Sequence, residues 1–327
     1  MIYLHIGRGK SGSTTLQHAL IQNRDSLSAA GITLPRDAIS NNGHNLALFK
    51  AINGDSNFQW AIDELHMASK IISSSEFLFQ VKPQAIDLLK TLINGREITI
   101  IVYIREYVSW YLSLYNQATR GGKNTKPFDD YFNYKLGFVS VRTSLSSWAD
   151  KFGWNNIRVR YLDEIAASGG IVNDLASVIG HPLVVGPDKN ISPSWIEIEL
   201  YRALCLDDGI KYKLNKSPKL PTVIRNLVDD SLREYEGDIE SIGYYKKDQV
   251  ACLDELYKND CRWIFENTGI PVPSCKSNDL VIRGEKSPSI NDVPSDFREL
   301  LIRNCGKYQG IKNSFLSDAI VNVLQVI

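Results

Sequence analysis

Apolar residues fall into two differently patterned stretches. In residues 1–165 short uninterrupted runs alternate with runs of helical period. IYLHI, from Ile2 to Ile6, has the unbroken apolar character of a buried parallel strand. TTLQHALIQNRDSLSAAG then places Leu16, Ala19, Leu20 and Leu27 at helical spacing until Gly31 ends the run. GITLP predicts a short strand closed by Pro35, helical patterns cover residues 45–52 and 59–68, and KIISSSEFLF is strand-like with a polar end. Pro83 opens a helix to about residue 93. EITIIVYI, β-branched and nearly uncharged, is the strongest strand and leads directly into a helix over residues 106–120. A further helix at 140–152 precedes the strand IRVRYL. This alternation predicts an α/β fold with a central parallel sheet, helices on both faces as three layers, and right-handed crossovers.

Beyond Ile165 strand signals give way to helical ones: IVNDLASVIG, SWIEIELYRALC, DQVACLDELYKNDCRWIFENTG, DFRELLIRNC and FLSDAIVNVLQVI. The expected organisation is an α/β core over residues 1–190 and a mainly helical region over 191–327, packed on the core and not necessarily an independent domain. GGKNTK, residues 121–126, reads as a loop, and the pattern is least regular over residues 271–296.

Composition narrows the function. The 327 residues carry 37 basic and 37 acidic side chains, so no global field recruits nucleic acid or an acidic membrane. Any anionic ligand must be met by a few local cations. The apolar runs are shorter than the roughly 20 residues of a membrane span, and residues 1–15 lack a signal pattern, so the expected location is cytoplasmic. The five cysteines, Cys205, Cys252, Cys261, Cys275 and Cys305, show no C-x-x-C spacing and are expected as free thiols.

The candidate chemistry begins after the first strand. HIGRGKSGSTTLQ, His5 to Gln17, has the order strand, glycine-rich loop, helix, which suits an anion held on a helix N-terminus. Glycines at 7, 9 and 12 allow the backbone to curl, Lys10 supplies a cation, and Ser11, Ser13, Thr14 and Thr15 offer hydroxyls. A plain connecting turn would need fewer of these groups. Gly9, Lys10 and Ser11 also match the end of the triphosphate-loop motif G-x-x-x-x-G-K-[ST], but its first glycine would fall on Leu4, inside the strand. A P-loop kinase using ATP and magnesium is therefore the second reading, supported by YLDE at residues 161–164.

The shorter form K-S-G-[ST]-T resembles the 5′-phosphosulfate loop of the sulfotransferases that use 3′-phosphoadenosine 5′-phosphosulfate (PAPS). A second motif agrees: after ITIIVYI stands REYVSWYLSLY, with Arg105 and Ser113 eight residues apart, as in the 3′-phosphate site of that family. Tyr107 stands where the family usually has proline, and Ser109, one helical turn before Ser113, could share its role. LQHALIQNRDSLSAAGITLP, NGHNLALF, SSSEFLF, SLSSWADKFGWNNIRVRYLDEI and ISPSWIEIELYRAL extend the resemblance to bacterial carbohydrate-type sulfotransferases over most of residues 1–205.

The resemblance implies a P-loop-like sulfotransferase topology, PAPS as donor, 3′,5′-adenosine bisphosphate (PAP) as product, no required metal, and a sugar or glycan precursor as acceptor. It assigns Gly9, Lys10, Ser11, Gly12, Ser13, Thr14 and Thr15 to the 5′ side of the nucleotide and Arg105 and Ser113 to its 3′-phosphate. Lys10 would neutralise the leaving phosphate oxygen, and the base that accepts the hydroxyl proton would be His44 or Glu76. Trp60, Trp110, Tyr111 and Tyr115 are candidate aromatic faces, Arg120, Lys123 and Lys126 candidate loop cations, and RGEKSPS, residues 283–289, a candidate phosphate-contacting loop. A third reading keeps nucleotide binding without catalysis.

Overall fold

The computed structural model describes the chain except residues 42, 187–191, 218, 238, 240–242, 275–286, 308–314 and 326–327. Two compact units divide it. The first comprises Met1–Trp110, Ser140–Lys189 and Asp254–Cys275, and the second Tyr111–Val139, Asn190–Leu253 and Lys276–Ile327.

The first unit is built on five parallel strands: β1 (Ile2–Ile6), β2 (Ile32–Thr33), β3 (Lys70–Ser75), β4 (Ile98–Ile104) and β5 (Ile157–Tyr161). Their order is β2-β3-β1-β4-β5, so β1 is central and its end is flanked by β3 and β4. Register fixes which side chains meet there: Ile6 pairs with Ser75 on one side, and His5 with Ile101 on the other. All five residues of β1 are buried, which requires cover on both faces of the sheet. On one face Tyr3, Ile72, Ile101 and Tyr103 pack with Leu16, Ala19 and Leu20 of the helix Ser13–Gln22 and with Ile171 and Leu175 of the helix Gly170–Ile179. The Tyr103 hydroxyl reaches out of this cluster to donate to Asp174 Oδ2 at 2.9 Å. The expected parallel α/β sheet is present.

Local chemistry moves two boundaries. The helical pattern predicted from Thr14 to Gly31 is two helices, Ser13–Gln22 and Arg24–Ala29, parted at Asn23. The Asn23 amide donates to Ala19 O and Val184 O and accepts from Val184 N, so a buried side chain, not propensity, sets the break. KIISSSEFLF is a strand only to Ser75, and Glu76–Gln80 forms a 3₁₀ turn that buries Leu78 and Phe79 while leaving Phe77 exposed.

The second unit is helical around its own core. Ile196, Leu200 and Leu204 of the helix Trp195–Leu204 pack with Leu227 and Val228 of Leu220–Glu234, Phe297 and Leu301 of Ser295–Lys307, and Ile320 of Phe315–Gln325. Two fully buried carboxylates on the first of these helices are matched by cations. Glu197 pairs with Arg120 at 3.0 Å and Arg225 at 3.4 Å, and Glu199 with Arg202 at 2.6 Å while accepting from the hydroxyls of Tyr115 and Tyr244. Burial pushes both carboxyls above their ordinary range, against the pull of those arginines.

Cys205, Cys261 and Cys305 are buried free thiols and Cys252 is a half-buried one; Cys275 lies outside the described residues. No helix among the described residues is long and apolar enough to cross a membrane.

Candidate functional site

The glycine-rich loop leaves the centre of the sheet between Ile6 and Ser13. Two consecutive needs shape it. Lys10 adopts φ 68° and Gly12 φ 82°, so the backbone turns left-handed twice within three residues. A lysine in that region is disfavoured by its own Cβ, a local cost that the surrounding structure must hold in place. At Gly12 any side chain would also strike Ile171, whose Cδ1 lies 2.7 Å from the Cβ position, and at Gly7 it would meet Ser13 Oγ at 2.5 Å. The turn is closed by Ser11 N donating to Arg8 O at 3.2 Å, and Leu16 N donates to Gly12 O as the helix begins.

This conformation carries buried polar groups that the protein leaves unmatched. Ser11 and Ser13 are 0% and 1% exposed, and neither hydroxyl has a hydrogen-bond partner among the described residues. Ser75 Oγ, at the end of β3, is in the same condition. A buried hydroxyl without a partner costs roughly 1–3 kcal/mol, so three at the carboxyl end of one sheet need a reason. Thr14 is exposed and Thr15 half-buried.

Trp110 and Arg8 hold the loop from behind. Trp110 Nε1 donates to Gly9 O at 2.7 Å, and its ring stacks under the Arg8 guanidinium at 3.6 Å from the ring centroid. Arg8 also lies 4.9 Å from the Tyr107 ring centroid, and Tyr107 donates to Asp260, which pairs with Arg142 at 2.7 Å. Burial lowers the Arg8 pKa to about 10, which still leaves it a cation at neutral pH. Neither support was foreseen: Arg8 stands between two glycines without an assigned role, and Trp110 was one of the candidate aromatic faces.

Beside the loop, β4 ends at Ile104 and Arg105 follows, half-buried. Among the described residues Arg105 makes no hydrogen bond or ion pair. The next residue, Glu106, is buried and caps the helix Tyr107–Arg120, accepting from Val108 N and, at 2.9 Å, from Ser109 N. Burial raises its pKa although these N–H groups and the Ser109 hydroxyl hold the charged form. Ser109 is thus committed to the cap. Ser113, on the same helix, is half-buried and belongs to the second unit. Asp163, in the YLDE stretch, accepts the Glu106 N–H through Oδ2 at 2.9 Å, and among the described residues no group of three or more His, Cys, Asp or Glu could hold a metal ion.

His44 and Glu76 come together at the end of β3. Asn45 ties the loop bearing His44 to that strand: its N–H donates to Ser74 O at 2.8 Å, its amide to Ser73 Oγ at 3.0 Å, and its Oδ1 accepts from Leu48 N to cap the helix Leu46–Ile52. Glu76 Oε2 lies 3.7 Å from where a Cβ on Gly9 would stand, so its carboxylate borders the glycine loop. Burial lowers the His44 pKa, and the charges of Glu76 and Asp37 oppose it. His44 is therefore a neutral imidazole at physiological pH. His5, below it in β1, is fully buried, bonds through Nδ1 to Ser74 Oγ at 2.8 Å, and is held neutral by burial with a pKa lowered to about 3.

The other candidates are engaged elsewhere. Tyr111 and Tyr115 are buried in an aromatic cluster with Phe128 and Tyr131, Trp60 carries the Arg36 guanidinium 4.2 Å from its ring centroid, and Arg120 pairs with Glu197. In the 121–126 loop Lys123 and Lys126 are exposed, whereas Asn124 is buried and bonds to Thr119 Oγ1 and Lys126 O. Residues 283–286 of RGEKSPS lie outside the described residues, and Ser289 caps a short 3₁₀ turn.

Comparison with known proteins shows a likeness to a solved structure. A solved sulfotransferase from Alicyclobacillus acidocaldarius is similar with a TM-score of 0.42 and 15% identity, over 65% of this chain and 94% of that one. No family model matches, and no curated protein matches in sequence.

Proposed function

We propose that the protein is a sulfotransferase that moves a sulfuryl group from PAPS to a hydroxyl of a sugar or glycan precursor. The observation that carries this reading is the loop after β1, where the K-S-G-S-T sequence coincides with a doubly left-handed backbone and two buried, unpartnered seryl hydroxyls. An anionic group accepting from Ser11 and Ser13 would satisfy what the protein alone leaves open. Arg105, a half-buried cation without a partner among the described residues, supports a second phosphate contact after β4.

PAPS supplies an activated sulfuryl group bonded to a phosphate oxygen. The chain's part is to align and neutralise. Lys10 brings positive charge to the loop that would grip the 5′-phosphate with Gly9, Ser11, Gly12, Ser13, Thr14 and Thr15, while Arg105 and Ser113 would anchor the 3′-phosphate. The acceptor hydroxyl must lose a proton. His44 is suited to take it because burial keeps the imidazole neutral, and its Nδ1 is itself buried, which leaves Nε2. Glu76 is the competing base. A kinase reading asks Asp163 to serve magnesium, whereas one of its oxygens is already used by the Glu106 N–H.

Calorimetric titration with PAP in the absence of metal, against ATP with magnesium, tests the reading. PAP binding weakened about 100-fold by Arg105→Ala, with turnover lost in Lys10→Ala, is the expected result. Preference for ATP with magnesium would make the loop a kinase loop, and PAP binding without any sulfuryl transfer would leave a nucleotide-binding protein. Turnover retained in His44→Ala or in Glu76→Ala removes that residue as the base.

A further inference from the structure

The end of β3 presents an aromatic surface that the nucleotide reading does not use. Phe77 directly follows Glu76 in the 3₁₀ turn and is 52% exposed, whereas Leu78 and Phe79 beside it are buried. It is nevertheless held on two sides. The His44 ring meets it edge-on with centroids 5.3 Å apart, and the Phe49 ring lies tilted at 5.2 Å. An exposed phenyl ring fixed by two other rings is a preorganised apolar face, with little freedom left to lose when a ligand covers it.

Its neighbours determine which ligand fits. A neutral imidazole, His44, borders the ring, and the charge of Glu76, whose carboxylate faces the glycine loop at Gly9, acts on that imidazole; both groups hydrogen-bond with hydroxyls. A ligand matching this set has one flat face of polarised C–H groups for the electron-rich ring and hydroxyls along its edge. A pyranose ring has that form. A purely hydrocarbon ligand would cover the ring and leave both polar groups without a use, and a simple phenol brings a single hydroxyl for the two of them.

We infer that Phe77, backed by Phe49, is the platform on which the acceptor sugar stacks, with the hydroxyl to be sulfated turned toward His44 and Glu76. This rests on the sulfotransfer reading and adds to it the residue that selects the acceptor. Phe77 is a binding residue, so its removal should leave the donor site intact.

The test uses the full chain, saturated with PAP, and saturation-transfer NMR with cellobiose, lactose and N,N′-diacetylchitobiose as probes. At least one disaccharide should bind the wild type, about tenfold more weakly in Phe77→Ala, and with wild-type affinity in Phe77→Trp, which restores a ring. Calorimetric PAP affinity should be equal in all three proteins, which also certifies that the variants fold. PAP binding with no disaccharide bound, or equal disaccharide affinity in wild type and Phe77→Ala, overturns the platform while leaving the donor site standing. Failure of the wild type to bind PAP removes the sulfotransfer reading and the platform with it.

Discussion

Two sets of buried polar groups in this protein are treated in opposite ways. On the helix Trp195–Leu204 of the second unit, Glu199 is hydrogen-bonded by Arg202 and two tyrosyl hydroxyls, and the charge of Glu197 is offset by ion pairs with Arg120 and Arg225. At the carboxyl end of the sheet in the first unit, Ser11, Ser13 and Ser75 are buried and, like Arg105, have no partner among the described residues. Matched groups hold a fold together. Unmatched groups lower its stability and so point to something that arrives from outside.

That contrast can be broken by experiment. The largest effect is expected at Glu199→Ala, which leaves Arg202 and two tyrosines without their carboxylate; urea unfolding should show a loss of about 3–5 kcal/mol. A loss below 1 kcal/mol would mean that the matched set is not structural.

Next comes pH. The unfolded chain protonates its histidine near pH 6.5, whereas His5 in the fold stays neutral down to about 3. The stability His5 contributes is present above pH 6.5 and falls as pH drops across that window, by up to about 1.4 kcal/mol per unit. His5→Gln should flatten the pH dependence of unfolding there; an unchanged slope would show that His5 is not the group responsible.

Arg105→Ala should weaken PAP binding about 100-fold and change stability by no more than about 0.5 kcal/mol. A large loss of stability with intact binding would move Arg105 to the structural set. The smallest effect belongs to Ser13→Ala, with PAP binding about tenfold weaker and stability equal to the wild type or higher by up to about 1 kcal/mol. Only a gain of stability joined to a loss of binding has the character of an unmatched group.

Elements whose sequence is consistent at every level were legible. ITIIVYI is β4 and the helical period after it is the helix Tyr107–Arg120, because β-branched burial and amphipathic spacing agree with their tertiary setting. The helix Leu46–Ile52 was also visible in the pattern over residues 45–52, although Asn45 proves to be its cap and not its first turn. What stayed hidden depends on partners far along the chain. The break at Asn23 is made by Val184, and the support behind the glycine loop by Trp110 and Asp260. The helices Asp208–Lys216 and Leu220–Glu234 were missed because KYKLNK is too charged to show an apolar stripe and Pro221 looks like a breaker, although proline is tolerated in a first turn. Of the candidate site, Lys10, Gly12, Ser13 and Arg105 stand out by residue type and spacing. The occupation of Ser109 and Asp163 in capping and backbone bonds could not.

The support behind the glycine loop also dates its assembly during synthesis. Arg8 rests on Tyr107, and Tyr107 donates to Asp260, 153 positions further along. At about 5–20 residues per second, roughly 8–30 s separate the emergence of those two residues from the ribosome. Through that interval the nascent chain contains the β4 sequence and an Arg8 without the Asp260 charge behind it. The backing of the loop is therefore acquired late, and a product truncated before Asp260 would carry both candidate phosphate motifs in its sequence and still lack a finished loop.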